Sequence, residues 1–316
     1  RDEPRACLTP TIRPRSSPWV PSGTPRLAGL PAPMPFAQRL ATAVIQSDTC
    51  LCVGIDPWAD RLPGRSALPN PTRAELAGLA RRFGLAVVGA AAGQVPAVKP
   101  QFAFFEALGP EGMAALSEVC TAARAAGLLV IGDAKRGDIG STATAYAEAT
   151  LSAHAPFPCD ALTVSPFLGP DTLAPFLAVA ETNNRGLFVL LRTSNPGSAR
   201  WQEPVVNDLS TWIDAQNAER GDYGPLGAVV GATHRDVSIS LRARMPHTWF
   251  LVPGFGAQGG SATDAKVALG PEGLGALIVS ARAATFPAAP TPEYDEDPVR
   301  WIRARIAATR AELAAG

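Results

Sequence analysis

Short apolar runs recur eight times along this chain with helical patterns between them, and that alternation limits the fold more than any other feature. The runs cover 51–55, 95–98, 128–133, 161–164, 187–191, 226–230, 249–252 and 276–279. They are continuously apolar rather than alternating, so each strand must be covered on both faces, which means parallel pairing with helices packed outside. The intervening segments fit that role. A helix is expected over 36–45, with Phe36, Ala37, Leu40, Ala41, Val44 and Ile45 as its stripe. Thr72 and Glu75 form a capping box ahead of Leu76, Leu79, Phe83 and Val87. Another helix carries Met113, Leu116, Val119, Cys120 and Ala123 and stops at Gly127. Further helices are expected over about 141–154, near 205–220, and from Asp297-Pro298 onward, the last burying Val299, Ile302, Ile306 and Leu313. An open doubly wound sheet uses the same alternation, but a count of eight strands with a closing helix favours a single (β/α)8 TIM barrel over 34–316.

Residues 1–33 read as a disordered, Pro/Arg-rich extension. Their eight prolines forbid the amphipathic helix of a transit peptide, and no apolar core of a secretory signal is present. Met34 directly precedes the first helical pattern. Lysine plus arginine (28) equals aspartate plus glutamate (28), which leaves no electrostatic case for nucleic acid or an anionic membrane as partner. No apolar run approaches the roughly 18 residues of a membrane-spanning helix. The five cysteines are odd in number and scattered. Cys50 and Cys52 share one face of a strand, but no second pair or nearby histidine completes a zinc site, so buried thiols in a reducing, cytoplasmic compartment are expected.

In a barrel of this kind the C-terminal strand ends line the active-site mouth. Here those ends carry Asp56, Lys99, Asp133, Lys135, Ser194, Gln258 and Arg282. The densest stretch is Gly132-Asp133-Ala134-Lys135-Arg136-Gly137-Asp138-Ile139-Gly140. Strand alternation puts Asp133 and Lys135 on the same side, and Gly137 is expected to turn Asp138 back toward the same ammonium group. Charges gathered at the end of a buried strand must be paired, and Lys99 adds a second cation. The cluster is either an ion-pair network bracing the rim or a site in which Lys135 is a general acid beside an atom that gains electron density. Asp56, Asp133 and Asp138 together would suit magnesium, but two lysines take the positive positions of a metal, so none is expected. A second constellation joins the glycine-rich run 252–260 to Ser280-Ala281-Arg282. At the ends of strands seven and eight these make a phosphomonoester grip, with 256–266 able to close as a lid.

The run DAKRGDIGSTA, with its Asp133-x-Lys135-x-x-Asp138 core, resembles the signature of orotidine 5′-phosphate decarboxylases of the bacterial type 2 form. VKPQFAFFE at 98–106, TSNPG at 193–197, VVGAT at 229–233 and PGFGAQGG at 253–260 are similar to further blocks of that family, in order, over about 34 to 314. The resemblance implies a dimeric barrel that converts orotidine 5′-phosphate to UMP and CO2, the last step of UMP synthesis, with no cofactor or metal. It also implies roles. Lys135 would protonate the carbon that loses CO2, with Asp133 against the substrate carboxylate and Lys99 and Asp138 completing the charged array. Asp138, Ile139 and Thr142 would reach across a homodimer interface. Asp56 and Lys99 would hold ribose hydroxyls, Ser194 the pyrimidine edge, and Gln258, Gly259 and Arg282 the phosphate. Ala281 departs from the Ser or Gly expected before Arg282, which removes a hydroxyl contact but not a backbone N–H. Sugar-phosphate decarboxylase and aldolase-like relatives share Asp-x-Lys-x-x-Asp, but those that bind magnesium carry Glu at the end of strand two, where this chain has Lys99. A catalytically silent, nucleotide-binding barrel is the third reading.

Overall fold

In a computed structural model of the chain, the residues described are 34–316 apart from 221–222, 257–259 and 271. The extension expected over 1–33 lies outside them. Eight parallel strands close into a barrel in sequence order. They are β1 (Leu51–Ile55), β2 (Ala97–Pro100), β3 (Leu129–Arg136), β4 (Ala161–Val164), β5 (Gly186–Arg192), β6 (Leu226–Val230), β7 (Phe250–Val252) and β8 (Ala276–Ser280). Closure is made by β1 against β8, with Cys52 beside Val279. Several strands run further than their apolar runs suggest. β2 extends to Pro100 and β3 to Arg136, so Lys99 and Lys135 are strand residues rather than loop residues, as Asp133 already was.

The helices cover the strands as the two-sided apolar pattern requires. Thr72 and Glu75 make the reciprocal capping box that starts Arg73–Ala91. That helix packs against Gly109–Ala125 so closely that a Cβ on Gly84 would lie 2.5 Å from Val119 Cγ2. The expected helix near 205–220 is Val206–Ala218, preceded by a short turn of helix at Ser198–Gln202. Two stripe residues fall on the wet side. Ile45 is 66% exposed and Val299 37%, because each helix buries a narrower face than its apolar residues span: Phe36, Ala37, Leu40 and Val44 in one, Ile302, Ile306, Thr309 and Leu313 in the other.

The helix Phe36–Ser47 closes the N-terminal end of the barrel. Phe36 meets Phe188 edge-on at 6.2 Å and fills the space left by Gly186. Nearby, the fully buried Asp160 accepts Arg39 Nη1 at 2.8 Å, Arg185 Nη1 and the Val130 N–H at 3.0 Å, with Arg124 Nε 3.8 Å away. One carboxylate thus ties the first helix to β3, β4 and β5. The cysteines among the described residues are buried and unbridged; burial pushes the thiol of Cys50 up to about 11 and that of Cys52 up to about 12, which leaves them unreactive. Among the described residues no helix is long and apolar enough to cross a membrane.

Candidate active site

A cavity of about 440 Å³ opens at the C-terminal ends of the strands, a size suited to a small-molecule ligand. Its two halves differ in chemistry. Strands β2 to β4 supply Lys99, Asp133, Lys135 and Thr163, with Asp56 just past β1, whereas β5 to β8 supply Leu190, Val229, Leu251 and Val279. The cavity floor therefore offers charged residues facing apolar ones, with Ser194 and Arg282 in the segments beyond β5 and β8.

The charged wall is organised around Asp133. Its Oδ2 accepts Lys99 Nζ at 2.6 Å and Gln101 Nε2 at 2.9 Å. Its Oδ1 accepts Lys135 Nζ at 2.5 Å and Thr163 Oγ1 at 3.1 Å. Four donors saturate one carboxylate. Burial opposes the charge on Asp133, but Lys99 and Lys135 outweigh it and hold the carboxyl well below the usual carboxylate range. Lys99 is almost fully buried; burial works against its charge too, yet Asp133 and Asp56 hold its ammonium above the ordinary lysine value. Lys135 differs in reach, since its side chain is 46% exposed and extends into the open cavity. Asp56 contributes an unsatisfied acceptor. Its Oδ1 is shut away from water with no partner, and burial raises its pKa despite Lys99.

The remaining expected residues divide. Ser194 and Arg282 line the same cavity, alongside Pro253, Gly254 and Phe255. Gly254 (φ 104°) and Gly256 (φ 77°) take left-handed conformations that a side chain would oppose, which accounts for the glycines of this loop. Gln258 and Gly259 lie outside the described residues. Ser261 and Asp264 cap a short helix, Ala262–Lys266, in the segment expected to act as a lid. Ala281 backs onto Gly54, where a Cβ would come within 2.5 Å of the Ala281 Cβ, so the chain just after β8 is held hard against β1. Asp138, Ile139 and Thr142 are not part of the cavity wall within one chain. The expectation that Asp138 folds back onto Lys135 is not met: Asp138 Oδ1 accepts the Ile139 N–H at 2.8 Å, and the ion pair of Lys135 is with Asp133. The turn is also made elsewhere. The left-handed residues are Lys135 (φ 49°) and Gly140 (φ 51°), while Gly137 has ordinary φ and lies close to the end of β4, where a Cβ would sit 3.2 Å from the Ser165 carbonyl oxygen.

The whole-chain comparisons bear on what this geometry serves. A model of the orotidine 5′-phosphate decarboxylase / HUMPS family matches residues 50–295. A curated orotidine 5′-phosphate decarboxylase of Rhodopirellula baltica is 45% identical over 268 residues, covering 80% of this chain and 89% of that one. The chain belongs to this family. A second curated relative with the same name, from Deinococcus radiodurans, is 42% identical and covers 79% of this chain and 89% of its own. Among solved structures, the Leishmania donovani OMP decarboxylase superposes with a TM-score of 0.70 at 33% identity, covering 89% of this chain and 98% of that one.

In this member of the orotidine 5′-phosphate decarboxylase / HUMPS family, several residues complete the mouth without having stood out in the sequence. Gln101 and Thr163 hold Asp133. Gln202 reaches back from its short helix, accepting the Thr193 N–H at 2.8 Å and donating to Thr193 Oγ1 at 2.8 Å, while His234 Nε2 lies 3.1 Å from the Thr193 carbonyl. These contacts pin the backbone that carries Ser194. Trp58 lies under the Arg282 guanidinium. Each sits on a different element from the residue it supports. A strand-end polar residue such as Thr163 carries a weak signal, and Gln202 carries none.

Proposed function

We propose that this chain decarboxylates orotidine 5′-phosphate to UMP and CO2, with Lys135 as the proton donor. The observation that carries the reading is the saturated Asp133: a carboxylate held ionised by two ammonium groups, one of them buried and one extending into the open cavity. A substrate carboxylate set against Asp133 is repelled, and that repulsion disappears as CO2 leaves. The electron pair of the broken C–C bond stays on the ring carbon, where the Lys135 ammonium stabilises it and delivers a proton. The neutral amine then regains a proton from water, to which its half-exposed side chain has access. Asp133 and Lys99 keep their charges throughout. The step needs no metal or cofactor, and Lys99 stands at the position where magnesium-binding relatives would need a carboxylate.

The remaining assignments follow the cavity. The orphaned Asp56 Oδ1 suits a ribose hydroxyl, with Lys99 beside it, and Ser194 suits the pyrimidine edge. Arg282, with Gln258 and Gly259, would hold the phosphate. Asp138, Ile139 and Thr142 would serve the site of a second copy in a homodimer. Supporting this are the failure of Asp138 to reach Lys135 in its own chain and the exposure of large apolar side chains after β3 and β4, Ile139 (63% exposed), Tyr146 (39%), Phe167 (84%) and Leu168 (52%). The buried, unbridged thiols agree with a cytoplasmic enzyme.

The test is incubation with orotidine 5′-phosphate in excess EDTA while orotate absorbance is followed. Turnover that persists is expected; no turnover would sink the proposal, and turnover abolished by EDTA would assign the chain to metal-dependent chemistry. Lys135→Ala should lower kcat by several orders of magnitude, and retained activity in that variant would exclude Lys135 as the proton donor.

A further inference from the structure

The backbone that presents Lys135 is irregular. Gly132 pairs with Leu162 and Arg136 with Val164, so four steps along β3 match two along β4. The surplus residues bulge, and Lys135 is driven to φ 49°, a left-handed conformation that a residue with a side chain adopts only under constraint. A bulge of this kind strips N–H groups of their ladder partners, and buried orphans are costly. The two freed donors, Ala134 N–H and Lys135 N–H, both point to one atom, Thr163 Oγ1, at 3.0 and 2.9 Å. That hydroxyl, 1% exposed on β4, has its own hydrogen to give. The shorter of its two acceptors is Asp133 Oδ1 at 3.1 Å, the same oxygen that holds Lys135 Nζ; the Gly132 carbonyl is 3.4 Å away. Two acceptances and one donation exhaust a threonine hydroxyl.

We infer that Thr163 is a positioning residue for the reaction: its hydroxyl fixes both the strained backbone of Lys135 and the carboxylate that aims the lysine ammonium. The inference rests on Lys135 being the proton donor of the decarboxylation. Serine keeps the hydroxyl and loses the methyl, alanine loses both, and valine keeps the shape while leaving the two part-buried N–H groups unanswered. A misplacement of reacting groups by about 1 Å costs on the order of 100-fold in rate. Among the described residues the hydrogen bonds of Thr163 run to β3 and to neither Arg282 nor Asp56, so binding of the product nucleotide should be indifferent to it.

The experiment compares kcat, KM and the Kd for UMP in the wild type and in Thr163→Val, Thr163→Ala and Thr163→Ser. Expected is a kcat lowered about 100-fold in the valine and alanine variants, KM and the UMP Kd within roughly threefold of wild type, and kcat restored to within about tenfold by serine. Should valine prevent folding, the serine–alanine pair isolates the hydroxyl by itself. Equal kcat in those two variants would overturn the inference, as would losses appearing only in KM. An inactive wild type would overturn the decarboxylase reading instead, and the two failures are thereby distinguishable.

Discussion

The guanidinium carbon of Arg282 lies 5.3 Å from the centre of the Trp58 ring, so the cation proposed to hold the phosphate rests on an aromatic face supplied by the turn after β1. Phe104 flanks Trp58 at 5.8 Å and holds the ring from the side. An arginine is otherwise a flexible side chain that must be ordered before it can grip an anion. At a partly exposed site such stacking is worth about 0.5–1 kcal/mol. Trp58→Ala is therefore expected to raise KM about two- to fivefold with kcat unchanged, whereas Arg282→Ala should raise it far more. Steady-state kinetics of both variants check this; a Trp58→Ala enzyme with lowered kcat and normal KM would contradict it.

Asp160 governs stability from the opposite end of the barrel. Removing its carboxylate leaves Arg185, whose pKa burial already lowers, without its counter-ion, and breaking a buried pair from one side costs about 3–5 kcal/mol. Asp160→Ala should show that loss in urea unfolding, while any enzyme that remains folded keeps a normal kcat. An unfolding midpoint equal to wild type would refute the hub role.

Asp56 should behave in the reverse sense. Burial raises its folded pKa, so its contribution to stability is present below the unfolded carboxylate pKa and is lost as pH rises through the folded value. At pH 7, above the unfolded carboxylate pKa, the buried group is then a cost to the fold. Asp56→Asn is expected to melt higher than wild type at pH 7, with the difference shrinking as pH falls through the Asp56 titration. If the carboxylate receives a ribose hydroxyl, KM rises roughly tenfold in the same variant, the loss of one charged hydrogen bond. Melting curves across pH together with KM test both halves; a lower melting temperature at pH 7 would contradict the sign.

The proposed dimer predicts complementation. In a heterodimer of Asp138→Asn and Lys135→Ala chains, one site draws Lys135 from the first subunit and Asp138 from the second. Equal mixing should recover about a quarter of wild-type activity from two nearly inactive preparations. No recovery, with heterodimers shown to form by mass, would mean that each chain completes its own site.

Which parts were legible in advance follows from the range of the forces involved. The strand and helix order, the capping box at Thr72 and the placement of Lys99, Asp133 and Lys135 at the mouth arise from periodicity and local hydrogen bonding, so the sequence by itself determined them. Strand alternation also anticipated the pairing of Lys135 with Asp133, although the backbone does not alternate there: a bulge and a left-handed lysine bring the two together instead. What only the tertiary structure decided depends on side chains distant in the chain meeting one another. It turned Asp138 away from Lys135 within the chain, put Ile45 and Val299 in water, gathered three arginines around Asp160, and set Thr163 beneath β3. The physical reason is that a buried charge or an orphaned N–H accepts whatever partner the packing supplies, at any sequence separation.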